Sequence, residues 1–329
     1  MDIPKVSVIV PIYGVERYVA QCAESLLTQS MTEGVEYIFV NDCTKDRSME
    51  VLSEVLSRYP QLKGQVCIIN HLENKGLPAA RNTGLAAARG EYVMHVDGDD
   101  FCEPEALEKL YRSAKENDSD FVWCNYYISF KTKRRTMVQP AYSTPLDAVR
   151  GMLRGAMKYN VWNKLCRRAL YTDNHIEFPS GYAMGEDLTM IMVALHARTC
   201  SFVDASLYNY VQSDTQMTSA YTPRKLEELS SNCKRITDYI DLNFKHLNLE
   251  SEYSALQLLM KWPFLLDGKI SSYRRWHEWF PESSQYIWQT KGVNTRIKLV
   301  EWCAAKHLLP LVWLHYILVI RMFYGIVYR

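Results

Sequence analysis

The chain has 329 residues, of which 48% are hydrophobic and 23% are charged, and its formal net charge is +1. This composition is typical of a globular enzyme with a substantial core, and the near-zero charge argues against a dedicated nucleic-acid-binding protein. The nine cysteines are scattered and contain no Cys-x-x-Cys pair. This pattern indicates a reducing compartment, without a disulfide framework or zinc site, and we expect a cytoplasmic location.

Short apolar runs alternate with amphipathic segments along the first 125 residues. Runs of this kind predict strands, and apolar residues at helical spacing predict helices. The predicted strands are Val6–Ile12, Tyr37–Val40, Val66–Ile69, Tyr92–Val96 and Phe121–Cys124, and the predicted helices are Glu16–Gln29, Met49–Tyr59, Ala79–Ala88 and Pro104–Asn117. The alternation predicts an α/β fold with a mostly parallel sheet that is covered by helices on both faces.

The pattern changes after about residue 130. The basic stretch Lys131–Arg135 is typical of a solvated turn or flexible loop. The remaining predicted elements are a helix from Pro145, a loop Pro179–Gly185, a helix from about Glu186, a strand Ser201–Val211 and a largely helical region beyond Pro223. We therefore expect an α/β domain over residues 1–215 and a helical region over 216–329.

Three carboxylates stand directly after the predicted strand that ends at Val96. They are Asp97, Asp99 and Asp100. Taken alone, the sequence Asp97-Gly98-Asp99-Asp100 is explained at least as well by an Asp-rich surface turn as by a metal site. However, ligands of α/β sheets bind beyond the carboxyl ends of the strands, and oxygen ligands suit Mg²⁺ or Mn²⁺.

Two further segments belong to the same predicted edge of the sheet. Asp42 follows the second strand and can accept hydrogen bonds from a nucleotide, although it can equally form an Asx-turn. Lys75 and Arg81 stand near the start of a helix, where cationic side chains and the helix terminus both favour phosphate oxygens. A surface Arg at a helix start is the alternative, although the helix dipole disfavours it.

The pair Glu186-Asp187 follows a loop with two glycines. Acidic residues at the start of a helix usually act as caps, and the alternative is a general base that reaches an acceptor hydroxyl. Trp162 can be either an aromatic platform for a ligand or a buried core residue. Lys164 can lie near an anionic ligand or pair with an acid.

Six motifs occur in one order within residues 1–215. They are Val6–Tyr13, Val40–Asp46, Asn74–Asn82, Asp97–Asp100, Trp162–Lys164 and Gly185–Asp187. Together they closely resemble the motifs of the family-two inverting glycosyltransferases of the GT-A fold, whose nucleotide-binding part is Rossmann-like. The chain departs from the usual pattern at Gly14, Asn41 and Gly98, where Asn, Asp, and Ser or Ala are commoner, and the first two leave donor selectivity open.

The resemblance implies that residues 1–215 form the catalytic domain, with a nucleotide-binding half (1–100) and an acceptor half (101–215). It also implies a role for each of the six motifs. Pro11 and Tyr13 would lie against the base, which Asp42 would hydrogen-bond. Arg81, with Lys75 nearby, would sit beside the nucleotide, and Asp97 would contact the ribose. The other implied roles are Asp99 for a Mn²⁺ or Mg²⁺ ion, Asp187 for the catalytic base, and Trp162 and Glu186 for the acceptor.

The implied activity is metal-dependent transfer of a hexosyl or N-acetylhexosaminyl group from a nucleotide-diphosphate donor, UDP by expectation, to a saccharide acceptor in surface polysaccharide synthesis. Two alternatives stay open: a nucleotidyltransferase acting on sugar phosphates, and a non-catalytic scaffold of a polysaccharide assembly complex. No Gly-rich triphosphate loop near the N-terminus supports the first alternative. The retention of every candidate acid argues against the second.

The C-terminal region is basic and rich in Trp. Residues 269–329 carry nine Lys and Arg against three Glu, and five of the eight Trp. The uncharged stretch Leu308–Ile320 is short for a transmembrane helix, which needs about 20 residues. A basic, Trp-rich segment before an apolar helix favours attachment to an anionic membrane surface, and packing on the catalytic domain is the alternative. The expected location is therefore peripheral, on the inner face of the cell membrane, where a lipid-linked acceptor would be within reach.

Overall fold

The computed structural model describes residues 3–182, 185–212 and 223–324. The chain divides into two compact units, which are considered separately below. The first comprises Met1–Val149 and Tyr159–Glu228, and the second comprises Arg150–Lys158 and Leu229–Arg329, as far as the structure describes them.

Unit 1 is an α/β unit built on a nine-stranded mixed sheet. Its strands are β1 (Val6–Ile12), β2 (Val35–Asn41), β3 (Val66–Asn70), β4 (Tyr92–His95), β5 (Phe101–Cys102), β6 (Phe121–Ser129), β7 (Arg134–Met137), β8 (Lys164–Arg167) and β9 (Cys200–Val211). The helices up to residue 195 are α1 (Val19–Leu27), α2 (Ser48–Ser57), α3 (Leu77–Ala87), α4 (Ala106–Glu116), α5 (Pro145–Leu153), α6 (Ala169–Thr172) and α7 (Thr189–Leu195).

The sheet has the order β3-β2-β1-β4-β8-β6-β9-β5, with β7 paired to β6. The first four strands are parallel, as predicted, and β1 is buried along its whole length because helices cover both of its faces. Beyond β4 the sheet becomes mixed, since β8 runs antiparallel to both β4 and β6. It follows that β6 runs in the same direction as β4.

The basic stretch after β6 differs from its prediction. We expected a turn or flexible loop over Lys131–Arg135, but Arg134–Met137 forms β7, which pairs antiparallel with β6. Cross-strand pairing with a nine-residue strand explains the difference, because β7 itself is short and largely exposed and has little apolar pattern of its own.

Helix α3 lies very close to strand β1. A Cβ added at Gly84 would stand 2.3 Å from the Ile9 side chain, so any larger residue would push the helix away from the sheet. The side chain of Arg81, one turn earlier on the same helix, is 1% exposed. The absence of a side chain at Gly84 therefore helps to bury a cationic residue beside the sheet.

Unit 2 is mainly helical. Helix α8 (Pro223–Asn243) begins in unit 1 and continues into unit 2, which also contains α9 (Glu250–Lys261), α10 (Ile270–Glu278), α11 (Thr295–Ala305) and α12 (Leu309–His315). A π-helix, Tyr316–Tyr324, follows α12. Among the described residues, no helix combines the length and hydropathy needed to cross a bilayer.

Candidate active site

Several of the predicted site residues, including Asp42 and Asp97, follow strands that end at one edge of the sheet. In the parallel register Ile12 of β1 pairs with Asn41 of β2, and Asn41 pairs with Asn70 of β3. The backbone N–H of Val96, just after β4, donates to the Ile9 carbonyl. The segments that follow β1, β2, β3 and β4 therefore emerge side by side, where α/β sheets bind their ligands.

Arg81 brings together three acids that are distant in sequence. Its Nη2 donates to Asp97 Oδ1 at 2.8 Å. Its Nη1 lies 3.0 Å from Glu186 Oε1 and 3.3 Å from Asp187 Oδ1. The guanidinium also lies over the ring of Phe178, 5.6 Å from the ring centre. One buried cation thus joins the acids after β4 to the acidic pair that precedes α7.

The acids around Arg81 outnumber its single positive charge. Burial raises the pKa of both Glu186 and Asp187, and Arg81 only partly opposes this shift. Burial would lower the pKa of Arg81 itself, but the charges of Asp97, Asp187 and Glu186 raise it, so the guanidinium stays protonated. Proton uptake by Glu186 and Asp187 can therefore occur at a pH above the ordinary carboxyl range, as expected of an acid–base site.

Asp97, Asp99 and Asp100 form an acidic turn after β4, in which Asp99 and Asp100 have different surroundings. Burial and the neighbouring charge of Asp97 raise the pKa of Asp99 to about 6. Asp100 is 1% exposed, and its carboxylate accepts hydrogen bonds from the Tyr208 hydroxyl and the Val211 backbone N–H, both at 2.8 Å. Asp100 therefore ties the turn to β9.

Gly98 allows this turn to pack against the end of β1. A Cβ at this position would stand 2.8 Å from the Pro11 carbonyl oxygen, closer than Cβ contacts normally come. The close approach explains why Gly occupies a position at which the family resemblance leads one to expect Ser or Ala. Asp97 and Asp99 are thereby held beside the segment that follows β1.

The acidic turn suits a divalent ion that is shared with a substrate. Among the described residues, no group of three or more His, Cys, Asp or Glu side chains is arranged to hold a metal ion by itself. Mg²⁺ and Mn²⁺ in phosphate-transfer sites commonly take one or two carboxylates and complete their shell with substrate phosphates and water. Asp99, a partly buried carboxylate in a region of excess negative charge, fits that chemistry.

Asp42 lies at the same edge and is held by the turn before α3. It is 2% exposed, and its carboxylate accepts from the backbone N–H groups of Lys75 and Gly76, each at 2.8 Å. Its Oδ1 lies 2.7 Å from His71 Nδ1. The Lys75 side chain is exposed, Pro11 is buried at the end of β1, and Tyr13 is 52% exposed.

Trp162 lies in an aromatic cluster. Its ring stacks with those of Tyr208 and Tyr210, with centroids 4.4 and 5.5 Å apart, and meets Tyr126 edge-on. The residue is 5% exposed, so in this conformation its faces pack against protein. Lys164, which follows it closely in sequence, is buried and donates to the Asn160 carbonyl at 2.6 Å. The charge of Lys164 partly opposes the rise that burial causes in the pKa of Asp187.

The comparison with protein families identifies the chain. A model of "Glycosyl transferase family 2" matches residues 7–189, more than half of the chain and every site residue predicted from the sequence. The chain belongs to glycosyl transferase family 2. The family expected from the six motifs is thus confirmed, and the helical unit lies largely beyond the matched residues.

Curated relatives of this family 2 chain include bacterial glycosyltransferases. It is 33% identical to the uncharacterized glycosyltransferase EpsJ of Bacillus subtilis, over 69% of this chain and 67% of EpsJ. It is 31% identical to the poly(ribitol-phosphate) β-glucosyltransferase of Bacillus spizizenii, over 67% of this chain and 34% of that protein. The match to EpsH of Bacillus subtilis spans 61% of that protein.

Solved structures confirm the fold. The crystal structure of S. aureus TarS 1–349 in complex with UDP-GlcNAc aligns with a TM-score of 0.70 and 22% identity, over 95% of this chain and 91% of TarS. A mannosyltransferase from Pyrobaculum calidifontis, in complex with GDP-Man and Mn²⁺, aligns with a TM-score of 0.53 and 14% identity over 97% of this chain. The family 2 chain thus has the expected GT-A fold with a helical C-terminal region.

The sequence analysis missed two groups that position the site. Tyr208 accepts from the Asp97 backbone N–H at 3.1 Å and donates to Asp100, and no local signal marks a Tyr within a strand for this role. Asn82 forms a reciprocal pair of 2.8 Å hydrogen bonds with the backbone of Phe178, so that α3 holds the start of the loop leading to Asp187. Asn82 stands at the end of one of the six motifs, which was a signal without an assigned function.

Proposed function

We propose that the chain is an inverting glycosyltransferase that moves a hexosyl or N-acetylhexosaminyl group from a UDP sugar to a hydroxyl of a growing surface glycan. The observation that carries this proposal is the convergence of Asp97, Glu186 and Asp187 on buried Arg81 at the carboxyl edge of the sheet. Family membership sets the reaction class, and the named relatives, which include glucosyl and galactosyl transferases, support hexosyl transfer.

The donor would lie across the ends of β1, β2 and β4. Pro11 and Tyr13 would face the base, Asp42 would orient the base through the turn that it holds, and Asp97 would contact the ribose. The structurally similar TarS was crystallised in complex with UDP-GlcNAc, which makes UDP sugars the first donors to test here.

Asp187 would act as the base. Its side chain is 25% exposed, against 9% for Glu186, so it is the more accessible of the two acids held by Arg81. Asp187 takes the acceptor proton while that oxygen bonds to the anomeric carbon, and the bond from this carbon to the diphosphate breaks with its electron pair on the leaving UDP. A single displacement from the opposite face inverts the anomeric centre.

Asp99 would hold Mn²⁺ or Mg²⁺ together with diphosphate oxygens, and the bound ion would supply positive charge that offsets the charge gained by the leaving diphosphate. Arg81 keeps Asp97 in place beside this turn. Lys75, at the exposed turn before α3, would attract the diphosphate, and Trp162 and Glu186 would support the acceptor side.

We assign transfer to unit 1 and infer that unit 2 attaches the enzyme to the inner face of the membrane. Its last helices leave large apolar side chains exposed: Leu311 by 51%, Trp313 by 53% and Leu318 by 51%. Flotation of the full chain with phosphatidylglycerol vesicles tests this inference. Trp313→Glu with Leu318→Glu should abolish flotation, whereas Trp288→Glu, a change at another exposed Trp of unit 2, should not.

A screen of nucleotide sugars tests the proposed activity. The full chain should release UDP from at least one UDP sugar, slowly in water and faster with a saccharide acceptor, when Mn²⁺ is present. Release of pyrophosphate from a nucleoside triphosphate and a sugar phosphate would instead identify a nucleotidyltransferase. The absence of both turnover and metal-linked UDP binding would favour a scaffold.

A further inference from the structure

The β6–β7 hairpin carries a cluster of positive charge. Residues 121–146 contain no Asp or Glu, but they carry four cationic residues grouped at the hairpin: Lys131, Lys133, Arg134 and Arg135. All four are exposed. The proposed transfer reaction assigns none of them a role.

The hairpin extends from the edge of the sheet that carries the site. β6 runs in the direction of β4, so both strands have their carboxyl ends at the same edge. Ser129, the last residue of β6, pairs with Val211 of β9, whose N–H binds Asp100. The Gln212 N–H also donates to the Ser129 carbonyl at 2.8 Å. The turn of the hairpin thus begins one strand away from the tether of the acidic turn.

One of the four cations forms an ion pair, and three do not, among the residues that the structure describes. Arg134 Nη1 binds Glu103 Oε1 at 2.7 Å, and the guanidinium lies 5.4 Å from the centre of the Tyr127 ring. Within residues 3–182, 185–212 and 223–324, no ion pair involves Lys131, Lys133 or Arg135. Their three positive charges are therefore available to a ligand.

The position of the hairpin favours the acceptor over the donor. In the sheet β6 is separated from β4 by β8, about 10 Å away at the usual strand spacing. The donor diphosphate is assigned to the end of β4. Phe130 is 41% exposed, with Lys133 Nζ 5.5 Å from its ring centre. An exposed aromatic ring beside cations suits a charged saccharide, because apolar sugar faces pack on aromatic rings.

We propose that this hairpin binds an anionic acceptor, namely a glycan or polyol chain that carries phosphodiester or carboxylate groups. The inference rests on the proposed transferase function and specifies the substrate class of that site. Lys131, Lys133 and Arg135 attract the acceptor's negative charges, while Phe130 contacts a sugar or polyol unit. The attraction between exposed charges weakens as salt screens it.

Acceptor preference tests the proposal directly. The full chain is given a UDP sugar and acceptors of equal length that are neutral, uronate-bearing or phosphate-bearing. We expect kcat/KM to be higher for an anionic acceptor, and Lys131→Ala/Lys133→Ala/Arg135→Ala to lower it by about tenfold, with the donor KM within about twofold. The matched control Lys63→Ala/Lys109→Ala/Arg112→Ala, which removes the same charge elsewhere on unit 1, should behave like the wild type.

Direct binding separates this proposal from the proposed function. Labelled inorganic polyphosphate, polygalacturonate, neutral dextran and phosphatidylglycerol vesicles are used as probes, with UDP binding measured in parallel. We expect the hairpin variant to lose about tenfold in affinity for one or both soluble polyanions, and 0.5 M salt to weaken the wild type similarly. The proposal is overturned if the variant binds both as the wild type does, if only vesicle binding falls, or if neutral acceptors are preferred. Failure of UDP binding instead contradicts the transferase function.

Discussion

Two regions of the molecule bury a cation, and they do so in different ways. In unit 1 Arg81 contacts three carboxylates at the edge of a sheet. In unit 2 Lys261 is fully buried, lies 4.1 Å from the centre of the Trp276 ring, and donates to the backbone carbonyls of Trp279 and Phe280. Backbone carbonyls and an aromatic ring contact Lys261 directly, and the charges of Glu301 and Glu282 also act on it. The three carboxylates that contact Arg81 exceed its single positive charge.

The difference shows that a shifted pKa does not identify an active site by itself. Burial lowers the pKa of Lys261 to about 8 and raises that of Glu301 to about 7, yet these groups belong to helices of unit 2. Glu186 and Asp187 have raised pKa values, and Arg81 joins them to Asp97 at the carboxyl edge of a parallel sheet. Position and surplus charge together indicate chemistry, and burial alone indicates structure.

The largest effect is expected for Asp187→Asn. The amide oxygen can still accept from Arg81, so the fold should persist, but the group can no longer take a proton. We expect kcat to fall by about 1,000-fold or more, with UDP affinity nearly unchanged. Glu186→Gln, at the less exposed acid, is the matched control and should lose far less. Equal losses in the two variants would contradict the assignment of the base.

Arg81→Ala should have the next largest effect, this time on stability. Removing the buried cation leaves Asp97, Glu186 and Asp187 facing one another without compensation. Loss of one partner of a buried ion pair typically costs about 3–5 kcal/mol of unfolding free energy. Urea unfolding of the two variants Arg81→Ala and Arg81→Lys checks this value, and Lys should recover part of the loss. An Ala variant as stable as the wild type would show that the acids do not depend on Arg81.

Asp187 and Arg81 also show which parts of the site can be predicted from the sequence. Asp42, Asp97 and Asp187 follow strands or begin a helix, and such positions can be recognised from local pattern. The ion pairs of Arg81 with Glu186 and Asp187 bridge 105 and 106 residues, a separation at which chain-local patterns carry no information. The β6–β7 hairpin was not predicted for a related reason, since its pairing depends on the neighbouring strand rather than on β7 itself.

The pH dependence of kcat should show a smaller effect, which comes from the raised pKa of Asp187. Asp187 must be deprotonated to act as a base, and its burial raises its pKa. The rate should therefore fall as pH decreases, by about tenfold per unit, with the fall beginning above the ordinary carboxyl range. Lys164→Met should move this limb to higher pH, because the charge of Lys164 lowers the pKa of Asp187. If the acidic limb of the kcat profile lies at the same pH in Lys164→Met and in the wild type, the charge of Lys164 does not affect the pKa of Asp187.

Lys261→Met should have the smallest effect. Unlike the variants of unit 1, it should change the pH dependence of stability and leave kcat unchanged. Because the pKa of Lys261 is lowered from 10.5 to about 8, the unfolded chain binds the extra proton between these values, and this residue makes stability rise with pH across that window. The variant should lose that rise in urea unfolding but keep kcat. A large loss of kcat would show that the buried cation of unit 2 also takes part in the reaction.

Calorimetric titration with UDP, with and without Mn²⁺, tests the central claim most directly, since it asks whether the acidic turn after β4 binds the donor through a metal. In the wild type, Mn²⁺ should tighten UDP binding by about tenfold or more. In Asp99→Asn this gain should disappear, while the metal-free affinity stays the same. Equal tightening by Mn²⁺ in the wild type and in Asp99→Asn would contradict the account.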